Sequence, residues 1–417
     1  MVETLFSTQS PGIGGTIKQR YSDFIVEEIT PSNQKCSVKR FVQENASENP
    51  SPIKVPAQPN DRTFSHLQCE MEKINCDTNF VISRLTRYLQ CSKKRIGYAG
   101  LKDKRAITCQ RISLFQPDVE KLATFHSRAI DLRNLEWKQE RIEIGDLKKN
   151  AFTITIRNIE GTKKEIQGKI EKLLKEIGKN GVANFFGEQR FGGIREVTHL
   201  VGKEIIKGNM EKAIMLYLTH PSEKEPIELQ EARKNLLETK DFSRASNEFP
   251  IQNRFERSMI HHLCKHPNDF VGAFAMLVKP MRYLFSHAFQ SFLFNQVISE
   301  RLEQGIGLEP IEGDVTENGV VLAPLFGFET KFAEGKPGEI EKKIIEKAGI
   351  SLQEFQVKKL PEASCRGNRK KILLKPQKMK LLSIEKDEFN ENKLKAQLFF
   401  ELEKGSYATT ILKEIMK

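Results

Sequence analysis

The stretch that decides the fold is Ile96-Gly97-Tyr98-Ala99-Gly100-Leu101-Lys102-Asp103-Lys104-Arg105-Ala106-Ile107-Thr108-Cys109-Gln110. A short apolar piece ends in Gly100, where the backbone can turn without a Cβ penalty. Apolar residues resume at Ile107 and alternate with polar ones, which is typical of a strand. The pattern predicts a strand, a tight turn and a second strand, with Asp103 at the tip of the turn.

The chemistry of this stretch centres on one carboxylate. Asp103 stands between Lys102 and Lys104, and Arg105 follows. Neighbouring cations favour the ionised form of an aspartate, and an ionised carboxylate in a basic site can act as a nucleophile. Glycine, lysine and aspartate are also ordinary turn residues. By themselves these residues therefore leave a charged surface turn open as the alternative.

Composition limits the class of protein. A chain of 417 residues predicts two domains or three. Lys and Arg (67) exceed Asp and Glu (55) to give a net charge of +12, which favours a polyanionic partner, with a generic basic surface as the alternative. Apolar runs stay below membrane length and the start lacks a signal pattern, so we expect a reduced cytosolic protein. The cysteines are odd in number, form no CxxC pair and indicate neither a disulfide framework nor a zinc site: Cys36, Cys69, Cys76, Cys91, Cys109, Cys264 and Cys365.

Secondary-structure signals recur along the chain. Residues 32–62 carry Asn, Ser and Pro and predict a loop or a partly disordered insertion. Strands are predicted at residues 16–18, 24–26, 63–74 and 151–159, in a hairpin at Asn318-Gly319, and at Leu398, Phe400 and Leu402. A helix is predicted after an Asp77 or Thr78 cap, with Val81, Leu85, Tyr88 and Leu89 facing the core, and another after a Thr162/Glu165 capping box as far as Gly178 and Gly181. Helices are also predicted through much of residues 196–266 and at residues 282–301 and 342–348. A last helix is predicted after a Ser406 cap, with Tyr407, Ile411 and Ile415 on one face.

A second unusual segment runs through residues 184–193. Phe185, Phe186 and Phe191 alternate there with glycines, and Arg190 lies among them. Glycines let a backbone approach a ligand closely, and an aromatic ring beside such a loop can stack on a base. The alternative is that all three phenylalanines are core residues.

Five segments, in order along the chain, resemble the pseudouridine synthase D (TruD) family, enzymes that modify tRNA. Together they span nearly the whole chain, which makes the resemblance specific. The segments are Asp23-Phe24-Ile25-Val26-Glu27-Glu28, Gly100-Leu101-Lys102-Asp103-Lys104-Arg105-Ala106 with Thr108 and Gln110, Asn184-Phe185-Phe186-Gly187-Glu188-Gln189-Arg190-Phe191-Gly192, Ala288-Phe289-Gln290-Ser291-Phe292-Leu293-Phe294-Asn295, and Lys404-Gly405-Ser406-Tyr407-Ala408-Thr409.

The resemblance implies a reaction. Uridine, with uridine-13 of tRNA as the family's usual target, is isomerised to pseudouridine: the bond from N1 breaks, the uracil rotates, and C5 joins C1′. The family needs no cofactor and no metal, and the sequence contains no Rossmann or P-loop glycine pattern. The sequence leaves open whether Asp103 attacks C1′, attacks C6 or removes the C2′ proton. The alternative function is a non-catalytic RNA-binding protein that assists tRNA folding.

The resemblance also implies residue roles. Asp103 is the catalytic carboxylate, Lys18 its basic partner, Phe186 the ring that stacks on the target base, and Asn184 a residue that helps to hold the site. For Lys18, an exposed strand lysine is the alternative. The cations near Asp103 can contact phosphate or complement a helix C-terminus. The candidate RNA-binding residues are Arg84, Arg87, Lys93, Lys94, Arg95, Lys102, Lys104, Arg190, Arg369 and Lys370.

The implied fold class is α+β. It is a pseudouridine synthase fold with a mixed, largely antiparallel central sheet flanked by helices, and with an inserted α/β TRUD-type domain. We place the discontinuous catalytic domain at residues 1–192 and 367–417, and the insertion at residues 193–366. The expected partner is tRNA, with no membrane and no metal, and the expected state is a cytoplasmic monomer.

Overall fold

The computed structural model describes residues 5–42, 52–358 and 360–417. Its strands are β1 (Phe24–Ile29), β2 (His66–Ile74), β3 (Ile96–Tyr98), β4 (Ile107–Phe115), β5 (Ile130–Lys138), β6 (Lys149–Ile159), β7 (Val182–Ala183), β8 (Thr316–Glu317), β9 (Val320–Leu325), β10 (Asn368–Lys371), β11 (Leu373–Leu374), β12 (Gln377–Lys386) and β13 (Leu394–Glu403). Its α-helices are α1 (Thr78–Tyr88), α2 (Val119–Ala123), α3 (Lys163–Asn180), α4 (Thr198–Ile206), α5 (Met210–Thr219), α6 (Ile227–Thr239), α7 (Phe242–Glu248), α8 (Arg254–Lys265), α9 (Phe270–Ala275), α10 (Lys279–Glu303), α11 (Gly335–Ala348) and α12 (Ala408–Met416).

The chain divides into two compact units. The sheet unit comprises residues 8–182 and 375–417, and the helical unit comprises residues 183–374 with the N-terminal segment up to Ser7. The predicted catalytic and inserted domains have other borders, and their functional assignment stays a prediction.

The sheet unit is built on one mixed sheet. Its strand order is β12-β13-β6-β1-β4-β2-β5, and β3 pairs with β4. The pair β1–β4 is parallel, and the other pairs are antiparallel. The prediction of a mixed, largely antiparallel sheet with helices is confirmed.

Capping and apolar stripes place the helices of this unit. The Asp77 carboxylate accepts the N–H of Phe80 at 2.8 Å and begins α1, whose Val81 and Leu85 are fully buried. Tyr88 is exposed, contrary to the prediction, and its hydroxyl donates to the carbonyl of Thr124.

The predicted capping box of α3 forms as expected. The Thr162 hydroxyl and the Glu165 carboxylate cap the helix start together. The helix runs through Gly178 and ends at Asn180, with Gly181 as its C-cap at φ +70°. Only the second of the two predicted glycine stops is used, because Gly178 keeps helical geometry.

Three predictions near the chain ends are wrong. Residues 16–18 are not a strand: Thr16 makes a single bridge to Arg157, and Lys18 has φ +61°, which extended backbone cannot have. Ser406 does not cap α12, because Tyr407 takes the N-cap position without a side-chain cap. Tyr407 is exposed, whereas Ile411, predicted on the same face, is fully buried.

The stretch that was predicted as a strand, a tight turn and a second strand has a longer connection. Strand β3 pairs with the far half of β4, with Tyr98 opposite Ile112. The near half of β4 lies parallel to β1, with Ile25 opposite Ile107. Residues 99–106 therefore form a loop, which we call the Asp103 loop, and not a tight turn.

The helical unit begins with helices and ends in mixed structure, as predicted. Its core surrounds α10, where Phe285, Phe289 and Phe294 are buried. The predicted hairpin is confirmed: Asn318 and Gly319, with φ +51° and +74°, connect β8 to β9.

The Asn- and Pro-containing segment contributes no regular element where it is described. Residues 32–42 and 52–62 show a single bridge, between Ile29 and Lys35. Residues 43–51 of this predicted insertion lie outside the described residues. Within the described part of the chain, no helix is both long and apolar enough to cross a bilayer.

Candidate functional site

The Asp103 loop is fixed from its buried side by polar side chains. The Gln110 amide donates to the carbonyl of Gly100 at 2.9 Å. The Thr78 hydroxyl donates to Gln110 at 3.0 Å and accepts the N–H of Lys102 at 3.0 Å. This network holds the first half of the loop, at Gly100 and Lys102, and Asp103 is exposed.

Lys102 belongs to this buried side. Its Nζ lies 2.6 Å from Glu28 Oε2, and the two side chains are 4% and 1% exposed. The second oxygen of Glu28 accepts the N–H of Arg111 at 3.1 Å. We therefore assign Lys102 to the structure of the loop and leave it out of the RNA-binding surface.

Asp103 faces the opposite way and meets Lys18. The Lys18 Nζ lies 3.3 Å from Asp103 Oδ1, and the side chains are 19% and 45% exposed. The same ammonium lies 4.0 Å from the ring centroid of Phe24. The structure thus brings together the two residues that were predicted to be catalytic.

The backbone of Lys18 is strained to make this pair. Its φ of +61° is left-handed, which costs about 1–2 kcal/mol for a residue with a Cβ. The Arg105 guanidinium supports the strained segment by donating to the carbonyls of Lys18 at 2.7 Å and Gln19 at 3.3 Å. A partly exposed ion pair contributes only about 0–1 kcal/mol to stability, so the pair does not offset this strain.

The helical unit holds a second group of predicted residues around the ring of Phe186. Asn295, which is buried, accepts the N–H of Phe186 at 2.9 Å and donates to its carbonyl at 3.0 Å. The ring packs edge-on against Phe294, at 5.4 Å between centroids. Lys370 lies over the ring of Phe186 at 5.0 Å and Arg190 at 5.7 Å. Two cations therefore lie over the half-buried ring of Phe186.

Asn184 and Lys370 have unusual environments in this unit. The Asn184 amide donates to the carbonyl of Lys371 at 2.8 Å, but its buried Oδ1 has no hydrogen-bond partner in the described part of the chain. Burial lowers the pKa of Lys370 to about 8. Both residues carry polar atoms that the protein leaves poorly compensated.

Comparison with known proteins gives one answer over the whole chain. The family model "tRNA pseudouridine synthase D (TruD)" matches residues 2–320 and 316–415. The chain is 38% identical to the probable tRNA pseudouridine synthase D of Methanosarcina barkeri, over 99% of this chain and 96% of the relative. It is 34% identical to the probable tRNA pseudouridine synthase D 1 of Methanocaldococcus jannaschii, over 97% and 96% of the two chains.

A solved structure is similar throughout. The crystal structure of the putative tRNA pseudouridine synthase D from Methanosarcina mazei superposes with a TM-score of 0.79 at 38% identity, covering 99% of this chain and 95% of the other.

The chain belongs to the TruD family. The resemblance of the five segments and the α+β pseudouridine synthase fold are thereby confirmed. The roles of individual residues in this TruD protein stay predictions.

The predicted RNA-binding cations differ in how open they are. Arg84, Arg87, Lys93, Lys94 and Lys104 are exposed.

Three other predicted cations are engaged with the protein. Arg95 donates to the carbonyls of Phe115 and Gln116, and Arg190 donates to the Ser291 hydroxyl at 3.0 Å. Arg369 forms a two-pronged pair with Glu341, at 2.9 and 3.2 Å. Arg369 is mostly buried in that pair and is better explained as a structural residue.

Sequence reasoning missed Asn295. The residue stands in a quoted family segment, but its phenylalanine neighbours directed the interpretation to the core. A useful signal was available, because a fully buried asparagine on an apolar helix must hydrogen-bond to something specific. Here it holds the backbone of Phe186.

Proposed function

We propose that this TruD protein isomerises a uridine of tRNA, uridine-13, to pseudouridine, with Asp103 as the nucleophile and with the target base flipped out of its stack. The observation that carries the proposal is the Lys18–Asp103 pair on a fixed loop. A carboxylate that is solvent-accessible and paired with an ammonium can reach a substrate atom and act as a nucleophile.

The strain at Lys18 supports this assignment. Its left-handed backbone costs more than an open ion pair returns in stability. Strained residues concentrate at functional sites, where geometry matters more than stability. Lys18 is therefore proposed to orient Asp103 and to place a positive charge beside its carboxylate.

Phe186 and Asn184 are proposed to bind the base. A half-buried ring whose backbone is held by Asn295 is a rigid stacking platform for a uracil. Lys370 and Arg190, both near that ring, are suited to the phosphates that flank an extruded nucleotide. The buried Oδ1 of Asn184 offers an acceptor that the described protein atoms leave unused.

The exposed cations are proposed to bind the tRNA backbone. Arg84, Arg87, Lys93, Lys94 and Lys104 lie on or beside α1 and the Asp103 loop. The predicted division into a catalytic domain and an insertion, the monomeric state and the cytoplasmic location also remain proposals. Light scattering of the purified protein tests the monomer.

The decisive experiment is in vitro modification. An unmodified tRNA transcript is incubated with the protein, and pseudouridine is mapped by carbodiimide treatment and primer extension. We expect one new stop, at position 13, and none in a transcript with cytidine there. Pseudouridine elsewhere would refute the proposed target. Tight tRNA binding without any pseudouridine would instead support the alternative of a non-catalytic tRNA-folding protein.

A further inference from the structure

Lys73, near the end of β2, is a fully buried lysine beneath the Asp103 loop. Its Nζ donates to the carbonyl of Cys76 at 2.6 Å and to the carbonyl of Asp103 at 2.7 Å. The carbonyl of Lys102 lies 3.5 Å away. These three acceptors are backbone oxygens, so the ammonium donates its hydrogen bonds to the main chain.

A buried ammonium without a carboxylate among its acceptors is expensive. Removal from water lowers the pKa of Lys73 to about 8, and the negative charges of Asp103 and Asp77 oppose that effect only in part. Other fully buried cations of this chain are paired with carboxylates, as Arg301 is with Asp314. Charge-assisted bonds to carbonyls are strong. The bonds from Lys73 therefore restrain two consecutive peptide groups, those with the carbonyls of Lys102 and Asp103.

Those peptide groups are the ones that present the proposed nucleophile. With the Asp103 carbonyl held from below and the N–H of Lys102 held by Thr78, the backbone at Asp103 cannot rotate freely. Only the side-chain torsions remain to adjust the carboxylate against Lys18. A displacement of about 1 Å in such a group can cost on the order of a hundredfold in rate.

We propose that Lys73 is a positioning residue, whose buried ammonium clamps the carbonyls at Lys102 and Asp103 and so aims the Asp103 carboxylate. The inference rests on the proposed function, in which Asp103 is the nucleophile. Lys73 itself touches neither substrate nor reacting atoms, because its side chain is fully buried.

The test is Lys73→Met in the full chain. Methionine keeps the volume and removes the donors. We expect the single-turnover rate on saturating tRNA to fall at least thirtyfold per folded molecule, while the tRNA Kd changes less than threefold. The matched control is Leu67→Ala, fully buried on the same strand and away from the loop. It should lower the melting temperature and keep the rate of its folded molecules.

Two further measurements keep the proposal falsifiable. Lys73→Gln, which retains an N–H donor, should recover part of the rate and serves if the methionine variant does not fold. The ratio of wild-type to Lys73→Met rates should fall from pH 7 to pH 9, because wild-type Lys73 loses its proton near pH 8. Taking a ratio removes titrations common to both proteins. Asp103, Asp77, Lys102 and Cys76 are the groups that act on Lys73.

The outcomes separate this inference from the proposed function. If Asp103→Asn is inactive and Lys73→Met keeps a rate within threefold of wild type, the clamp is wrong and the nucleophile stands. If Asp103→Asn remains active, the proposed function fails first. A pH-independent ratio, or an equal loss in Leu67→Ala, would overturn the clamp in favour of a general structural role.

Discussion

Lys102 and Asp103 are adjacent in the chain and have opposite environments. Lys102 points inward and forms a pair with Glu28 at 2.6 Å that is almost fully buried. Asp103 points outward and forms a looser pair with Lys18 at 3.3 Å, in which the carboxylate is nearly half exposed. The two pairs use the same chemistry, but only the open one can exchange its partner for a substrate.

The difference shows how a loop can be rigid and reactive together. A buried pair is costly to break, because the abandoned charge has no access to water. An exposed pair contributes little to stability, so its partners remain available. The buried side of the Asp103 loop therefore bears the stability, and the open side is left for chemistry.

The largest effect is expected when the open pair loses its carboxylate. Asp103→Asn should lower the single-turnover rate at least about 10⁴-fold, a barrier increase of about 5.5 kcal/mol, because a neutral amide cannot act as the nucleophile. Melting temperature and tRNA Kd should stay near wild type. A variant within about tenfold of the wild-type rate would remove Asp103 from the catalytic role.

The second-largest effect is expected when the buried pair is broken, and it should appear in stability. Lys102→Met leaves the Glu28 carboxylate buried and unpaired, which should cost about 3–5 kcal/mol in free energy of unfolding. Lys104→Met, on the other side of Asp103 and exposed, should change it by about 0.5 kcal/mol or less. Urea unfolding of both variants measures the difference. Equal losses in free energy of unfolding would show that Lys102, paired with Glu28, contributes no more to stability than the exposed Lys104.

The family resemblance predicted the open pair, whereas nothing in the sequence predicted the buried one. The order Lys102-Asp103-Lys104 has a cation on each side of the carboxylate, and local composition cannot say which cation turns inward. That choice is made by Glu28 on β1, far away in sequence. The parallel register of β1 with β4 was not predicted: the near half of β4 pairs with β1, and a loop stands where a tight turn was expected.

Sequence signals predicted the structure correctly where it depends on residues that are close together in the chain. The capping box at Thr162, the turn at Asn318-Gly319 and the helix around Phe285 all formed as expected, because each depends on neighbours a few residues away. Lys18 shows the opposite case. A strand was predicted there, but the left-handed backbone is held by contacts from Arg105.

The ring of Phe186 extends the same comparison to the helical unit, where it is half-buried and Phe285 is buried. Phe186→Leu should melt near wild type, since the half-buried ring of Phe186 contributes less packing than a buried ring and leucine keeps much of its volume. Its turnover should fall about ten- to hundredfold, within the about 1–3 kcal/mol of a lost stack. Phe285→Leu is the control and should melt lower with an unchanged rate per folded molecule. The reverse pattern would make Phe186 a packing residue.

The smallest effect is expected from replacing lysines that, unlike Lys102, are exposed to solvent. Phosphate contacts release counterions, so tRNA affinity should fall steeply with salt. Replacing the exposed Lys93 and Lys94 together by glutamine should reduce the slope of log Kd against log salt by about 2. The accompanying loss of affinity should be about tenfold or less, or about 1.4 kcal/mol.

Two controls make that slope interpretable. Lys234→Gln with Lys240→Gln removes the same charge from exposed positions on and just after α6 and should leave the slope unchanged. Lys102→Met, measured under conditions where it is folded, should also leave it unchanged, because a buried ammonium paired with Glu28 has no counterion to release. An equal change in all three variants would mean that net charge alone governs binding. A slope that falls only for Lys93 and Lys94 would place phosphate beside the segment that follows α1.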